Sequence, residues 1–335
     1  MQVIVVRILT TFVKSFKVYA THPELQHKAR HPIPLAKTET FPLRTTTINE
    51  ATVPGTIQIW YNVYLQRLKR TPKDMMNTTV PSFNDQLTNA RICGTKAMRL
   101  MDVDEFERLE NLQVAYGVFH KCLNLVWSIL KNHQGSINQL GSLKYFFALL
   151  EKTCLSNDKP DYHTLLSALM QILHGLILQA WRLECGFSTL DSFASSQPSP
   201  SDLLNIAERV IFNYATPMKE QPKQKPPAKP DESSSSSSDD CNSSEDESDA
   251  SPNLIPDPLL DPQHDRAHRN TRLLIRDLLY VAELIRAVSD GDWGRIEDIL
   301  GQLVMMFRGD GSNNYSTELL HFLRNLKFVW GEDFG

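Results

Sequence analysis

Between Pro217 and Pro262 the chain offers almost nothing to a hydrophobic core. It first reads PMKEQPKQKPPAKP, then DESSSSSSDDCNSSEDESDA, then a further proline-rich run, PNLIPDPLLDP. Proline denies the first and last runs a helix or a central strand. Serine and like charge leave the middle run too little apolar surface to offset the entropy of ordering it. Whatever folds must be assembled from the residues on either side. The sequence therefore predicts four parts: an extended N-terminal segment (1–44), a first helical part (45–216), a disordered linker (217–262) and a second helical part (263–335). The two helical parts make one split domain.

Composition narrows the function classes. Apolar residues are 41 % of 335, enough for a sizeable core. The net charge of −4 misleads, because residues 231–250 alone hold eight acids and no base. Outside that tract the chain is mildly basic, which permits a nucleic-acid partner without requiring one. Five cysteines (Cys93, Cys122, Cys154, Cys185, Cys241) lie scattered, with no CxxC pair. That pattern excludes a disulfide framework and a cysteine zinc site and fits an intracellular location, nucleus or cytosol. No uninterrupted apolar run approaches the ~18 residues of a membrane span, so no membrane partner is expected. The opening MQVIVVRILTTFVKSFKVYA is basic and free of acids, as organelle presequences are. A buried strand or a helix of the domain suits it better than a presequence, and Arg7 interrupts it too early for a secretory signal.

Periodicity predicts a mainly helical fold. Helical spacing recurs over 56–70, 86–99, 104–131, 142–151, 161–183, 201–214, 265–289 and 293–307. The block 104–131 is the clearest, with Leu109, Leu112, Phe119, Leu123, Val126, Trp127 and Leu130 at three- and four-residue steps. Gly117 is its one candidate break. Residues 78–83, TTVPSF, predict a short strand that Pro81 confines to an edge.

Four phrases together resemble one family: TTTINEATVPGTIQI (45–59), NDQLTNAR (84–91), Arg108–Phe119 with His120 after it, and GSNNYSTELLHFLRNLKFVW (311–330). This is the uncharacterised family numbered 6589 among domains of unknown function, associated with mobile-element genes. Its central motif usually reads Gly-Asp-Gln-Leu-Thr; here Asn84 replaces the glycine. The resemblance implies a transposase-derived protein whose small β element is the remnant of a ribonuclease-H-like core. Asp85 would be its strand-end acid and Glu318 its helix acid, both catalytic and metal-holding, with Mg or Mn as cofactor if the site is intact. Family members commonly carry an Asp-Asn motif upstream. Residues 1–44 hold only the acids Glu24 and Glu39, so the resemblance implies an N-terminally truncated, not fully catalytic relative.

Each of these residues also has a plainer role. Asp is among the best helix N-caps, and Asp85 directly precedes a predicted helix. Glu318 stands at the edge of the stripe Leu319, Leu320, Leu323, Leu326, where a solvated helical acid is commonplace. His120 suits a boundary position. His264 and His268 have i,i+4 metal-ligand spacing but lack a third ligand type. Arg67, Lys69 and Arg70 form a small basic cluster that either meets phosphate or faces water, and the Lys219–Lys229 run is a loose electrostatic arm. No GxxxxGKS/T, GxGxxG or GxSxG motif is present. Two functions remain: a transposase-like relative of reduced competence that meets nucleic acid, or a non-enzymatic helical interaction module whose acidic linker recruits basic proteins.

Ser238, Ser243 and Ser244 precede acids, the pattern acid-directed kinases select. Each phosphate adds about −1.5 to −2 charges and weakens contact with nucleic acid. Mass spectrometry of the protein from its own cells is expected to find phosphate in this tract; an unmodified tract removes the reading.

Overall fold

The computed structural model describes residues 1–157, 159–217 and 265–331. Ser238, Ser243, Ser244, His264, the Lys219–Lys229 run and all but the first residue of the 217–262 linker lie outside the described residues. In chain order the elements are α1 (Gln2–Phe12), α2 (Val53–Tyr61), α3 (Pro72–Met76), β1 (Val80–Asn84), α4 (Gln86–Met98), β2 (Leu112–Tyr116), α5 (Val118–His133), α6 (Leu143–Leu149), α7 (Tyr162–Glu184), α8 (Leu190–Ser195), α9 (Pro200–Ala215), α10 (Arg266–Asp290), α11 (Trp293–Gly309) and α12 (Asn313–Arg324). The fold is mainly helical with a small β element, as the periodicity predicts.

Helices from both sides of the linker share one core. The apolar stripe of α10, including Leu274, Leu278, Val281 and Leu284, is buried against α5, α7 and α9. Along α7 the stripe Leu165, Leu169, Ile172, Leu173, Ile177 and Trp181 is buried in the same cluster. Such burial is the main favourable term in holding helices together. Polar contacts fix the register: Arg272 donates to the Thr216 and Phe212 carbonyls at 2.8 and 2.9 Å, closing α10 onto the end of α9. His133 Nε2 meets Asp277 Oδ2 at 2.8 Å, and the Ser128 hydroxyl donates to the Asp310 carboxylate.

The segment 1–44, expected as extended, opens on a helix. Ile4, Val5, Ile8 and Leu9 of α1 are buried against α7 and α9, and Trp181 Nε1 donates to the Val5 carbonyl at 3.1 Å. Burial of one face outweighs the weak helix propensity of its β-branched residues. Extended chain begins only later. Residues around Arg30–Ile33 lie across the turn between α10 and α11, where Asp292 organises them. Its carboxylate caps α11 and accepts from the backbone N–H of Arg30 and His31 at 2.9 and 3.0 Å. Ile33 N–H donates to the Gly291 carbonyl at 2.7 Å, and Trp293 N–H to the His31 carbonyl at 3.0 Å. The chains approach so closely that a Cβ on Gly294 would lie 2.6 Å from Arg30 Cβ, so the position requires glycine.

The helical block expected over 104–131 is only half a helix. Residues 112–116 form β2, parallel to β1 in the register Val80↔Leu112 to Asn84↔Tyr116, and α4 crosses between them. Leu109 has φ 54°, a left-handed conformation that ends any helix running through it. A short apolar run is compatible with helix or strand by periodicity alone, and the pairing with β1 decides it. Gly117 is the boundary, as N-cap of α5. Leu112 and Val114 join a satellite cluster with Trp60, Met75, Ile92 and Phe106, whereas Ala115 and Tyr116 join the main core. The β-α-β unit is thus the hinge between two apolar clusters.

Three backbone N–H groups meet at one buried carboxylate, and these hold the Asp292 carboxyl below the ordinary carboxylate range against the opposing effect of burial. Its contribution is present above the usual aspartate pKa and is lost as pH falls through the lowered value. Asp292→Ala is expected to cost about 2–3 kcal/mol in denaturant unfolding, from a lost cap and orphaned donors. Hydrogen exchange at Arg30 and His31 should rise with it; unchanged exchange there contradicts this role.

Candidate functional site

At the C-terminal ends of two parallel strands the chain turns into helices, and side chains from both turns converge there. This is where ligands meet open parallel sheets. Asp85 follows β1 and caps α4: its Oδ1 accepts from Thr88 N–H at 2.8 Å. The Thr88 hydroxyl and N–H hold the Asp85 carboxyl below the ordinary range. The capping role read from sequence is therefore present in the structure.

Glu318 is neither solvated nor free. Its side chain is 11 % exposed and pairs with the Lys121 ammonium, itself 3 % exposed, in the first turn of α5. Glu318 Oε1 accepts from Asn89 Nδ2 at 2.7 Å. Asn89 also donates to the Ala115 carbonyl at 3.0 Å, and its Oδ1 accepts from Asn84 Nδ2 at 3.0 Å. Asn84 in turn donates to the Ser82 hydroxyl at 2.8 Å. Asn84 thus orients the carboxamide that holds Glu318.

Aromatic rings complete the enclosure. The Lys121 ammonium lies 4.7 Å from the Tyr315 ring centroid and 5.7 Å from that of Tyr116. Burial pulls Lys121 below the ordinary lysine range while Glu318 opposes the shift. Burial first, then the charges of Glu318 and Asp85, push the Tyr315 hydroxyl up. Both acids singled out in the sequence therefore bear on one tyrosine. Beside them opens a cavity of about 300 Å³ between α4, β2 and α12, to which Glu318 contributes and Asp85 does not.

A two-cation centre needs carboxylate oxygens free to ligate. Here each Glu318 oxygen already accepts a hydrogen bond, and the adjoining positive charge is the Lys121 ammonium. Asp85 spends one oxygen on its cap. Among the described residues no group of three His, Cys, Asp or Glu side chains is placed to share an ion. The residues present do not fit the Mg or Mn site the resemblance implies. Neither histidine is a ligand of the cluster: His120 meets the Phe119 ring edge-on and acts on Asp85 only by its charge, and the His268 N–H is capped by Asp265.

Sequence reasoning missed Lys121, Asn89, Asn84 and Tyr116. One signal was available for the first. Lys121 falls on the apolar face of α5 with Cys122, Leu125, Val126 and Ile129, and a lysine there requires a buried partner. Asn89 has no such signature, because its partners are a neighbouring strand and a distant helix, and Asn84 matters only through its bond to Asn89.

Removing one member of a buried ion pair costs about 3–5 kcal/mol, whereas replacing both with apolar groups is often neutral. Lys121→Met is expected to destabilise by about that amount, and Lys121→Met combined with Glu318→Leu to recover most of it. Equal melting temperatures for the single and double variants would contradict a pairwise role.

The Family of unknown function (DUF6589) matches residues 1–335, and the chain belongs to that family. No curated protein and no solved structure matches it.

Proposed function

We propose that this member of the family is a non-enzymatic helical interaction module, descended from a mobile-element transposase-like protein whose carboxylate centre has become structural. The observation that carries the reading is the pairing of Glu318 with Lys121 at the ends of the two parallel strands. A lysine ammonium supplies one positive charge where a metal-dependent nuclease would place divalent cations. It cannot bind and ionise a water molecule, or bridge attacking and leaving oxygens, as a divalent metal ion does. It does neutralise Glu318 and tie α12 to the β-α-β unit. The family's strand-end acid is retained as a helix cap, a role that needs no ligand. In this reading the helical body and its cleft serve for binding, and the acidic stretch 231–250 attracts basic partners by charge.

Incubation of supercoiled plasmid with the protein and manganese tests the reading. The natural chain, Asp85→Asn and Glu318→Gln are expected to nick no faster than a protein-free control. Asparagine still caps a helix, so Asp85→Asn keeps the fold. Manganese-dependent nicking by the natural chain that disappears in Asp85→Asn overturns it.

A further inference from the structure

We propose that the exposed groove between α11 and α12 is a self-association surface, which a second copy of this chain fills to make a two-fold symmetric dimer. The inference goes beyond the interaction-module reading and does not rest on it.

Residues 310–312 join the two helices, which pack side by side as the chain doubles back. Their inner faces are fixed. Phe307, Leu319 and Phe322 belong to the main core, and Glu318 is tied to Lys121. Their outer faces are not covered: Met305 is 66 % exposed, Leu320 53 % and Phe328 83 %. Asp298, Gly301 and Met305 recur at helical spacing along α11, as Leu320 and Arg324 do along α12. Between these two faces lies a groove of about 530 Å³, to which Leu323 also contributes. Exposed apolar groups gathered on one surface and rimmed by polar residues mark an interaction site.

The charge of the walls identifies the occupant. Glu297 and Asp298 stand on the α11 wall, and Arg324 and Lys327 on the opposite wall. Asp298 already meets Arg30 at 3.0 Å, so Glu297 is the acid left over. Glu297, Arg324 and Lys327 have no ion-pair partner among the described residues. A wholly basic or wholly acidic partner would satisfy one wall and be repelled by the other. A second copy satisfies both. A two-fold axis parallel to the groove exchanges its walls, so that α11 of one copy lies on α12 of the other at the same level. Glu297 of each copy then faces Arg324 and Lys327 of the other, and the contact is made twice. The same rotation turns Leu320 and Phe328 toward the second copy's Gly301. Nothing lies within 4 Å of the place a Cβ on Gly301 would take, so an apolar side chain has room to enter there. An aromatic anchor in a recess, ringed by complementary charges, is the usual anatomy of a specific contact. Both walls are already held by the core, so little ordering opposes association.

Sedimentation velocity of the full chain at loading concentrations of about 1 to 100 μM tests this. A reversible monomer–dimer equilibrium is expected. Phe328→Asp, at a side chain the fold leaves exposed, should weaken the dimer at least about tenfold with an unchanged circular dichroism spectrum. Lys327→Glu and Glu297→Lys should each weaken it about tenfold, because each sets like charges together twice per dimer. Mixing these two variants should restore the natural affinity. In the mixed dimer the two altered walls face each other with opposite charge, and so do the two natural walls. A natural chain that stays monomeric throughout overturns the proposal and leaves the groove to a partner of another kind. A dimer that none of the three substitutions weakens also overturns it and places the contact elsewhere. A mixture no tighter than its components overturns it even if Phe328→Asp fails to fold. None of these outcomes depends on whether the protein nicks DNA.

Discussion

The pairing of Lys121 with Glu318 is the constraint that ties α12 to the turns after the two parallel strands. Lys121 belongs to the first helical part and Glu318 to the second, 197 residues apart in sequence. Two charges removed from water are costly unless every remaining hydrogen-bonding site is met. Asn89 meets one Glu318 oxygen, two tyrosine rings face the ammonium, and Asn84 orients Asn89. Each partner constrains the next, so the β-α-β unit and α12 have one relative placement. Hydrophobic burial brings the helices together without specifying this register; the polar chain specifies it.

A second, separate set of polar contacts acts at the opposite end of α11. There Asp292 gathers N–H groups from the N-terminal stretch and from its own helix, and Gly294 lets the two backbones touch. Both centres use a carboxylate to satisfy groups that apolar packing leaves unpaired. Both also join residues far apart in sequence.

Legibility followed the range of the forces. The Asp85 cap was readable because an aspartate before a helical run accepts from an N–H three residues on, entirely within a local segment. The long stripes of α7 and α10 were readable for the same reason. Strand β2 was not: Leu109, Leu112 and Tyr116 keep helical spacing while Leu112, Val114 and Tyr116 keep strand spacing, and only pairing with β1, nearly thirty residues earlier, separates the two. The fate of Glu318 was equally hidden. Its neighbours in α12 describe a boundary position, and nothing near it in sequence names Lys121.

The sequence by itself therefore determined the class of the fold, the family, and the capping chemistry of Asp85. These depend on composition, on periodicity and on hydrogen bonds within a turn. Only the tertiary structure decided that Glu318 is neutralised by Lys121, and that the turns after the two strands are joined to α12 by an ion pair and a carboxamide. Those depend on distances between elements, which no local pattern encodes.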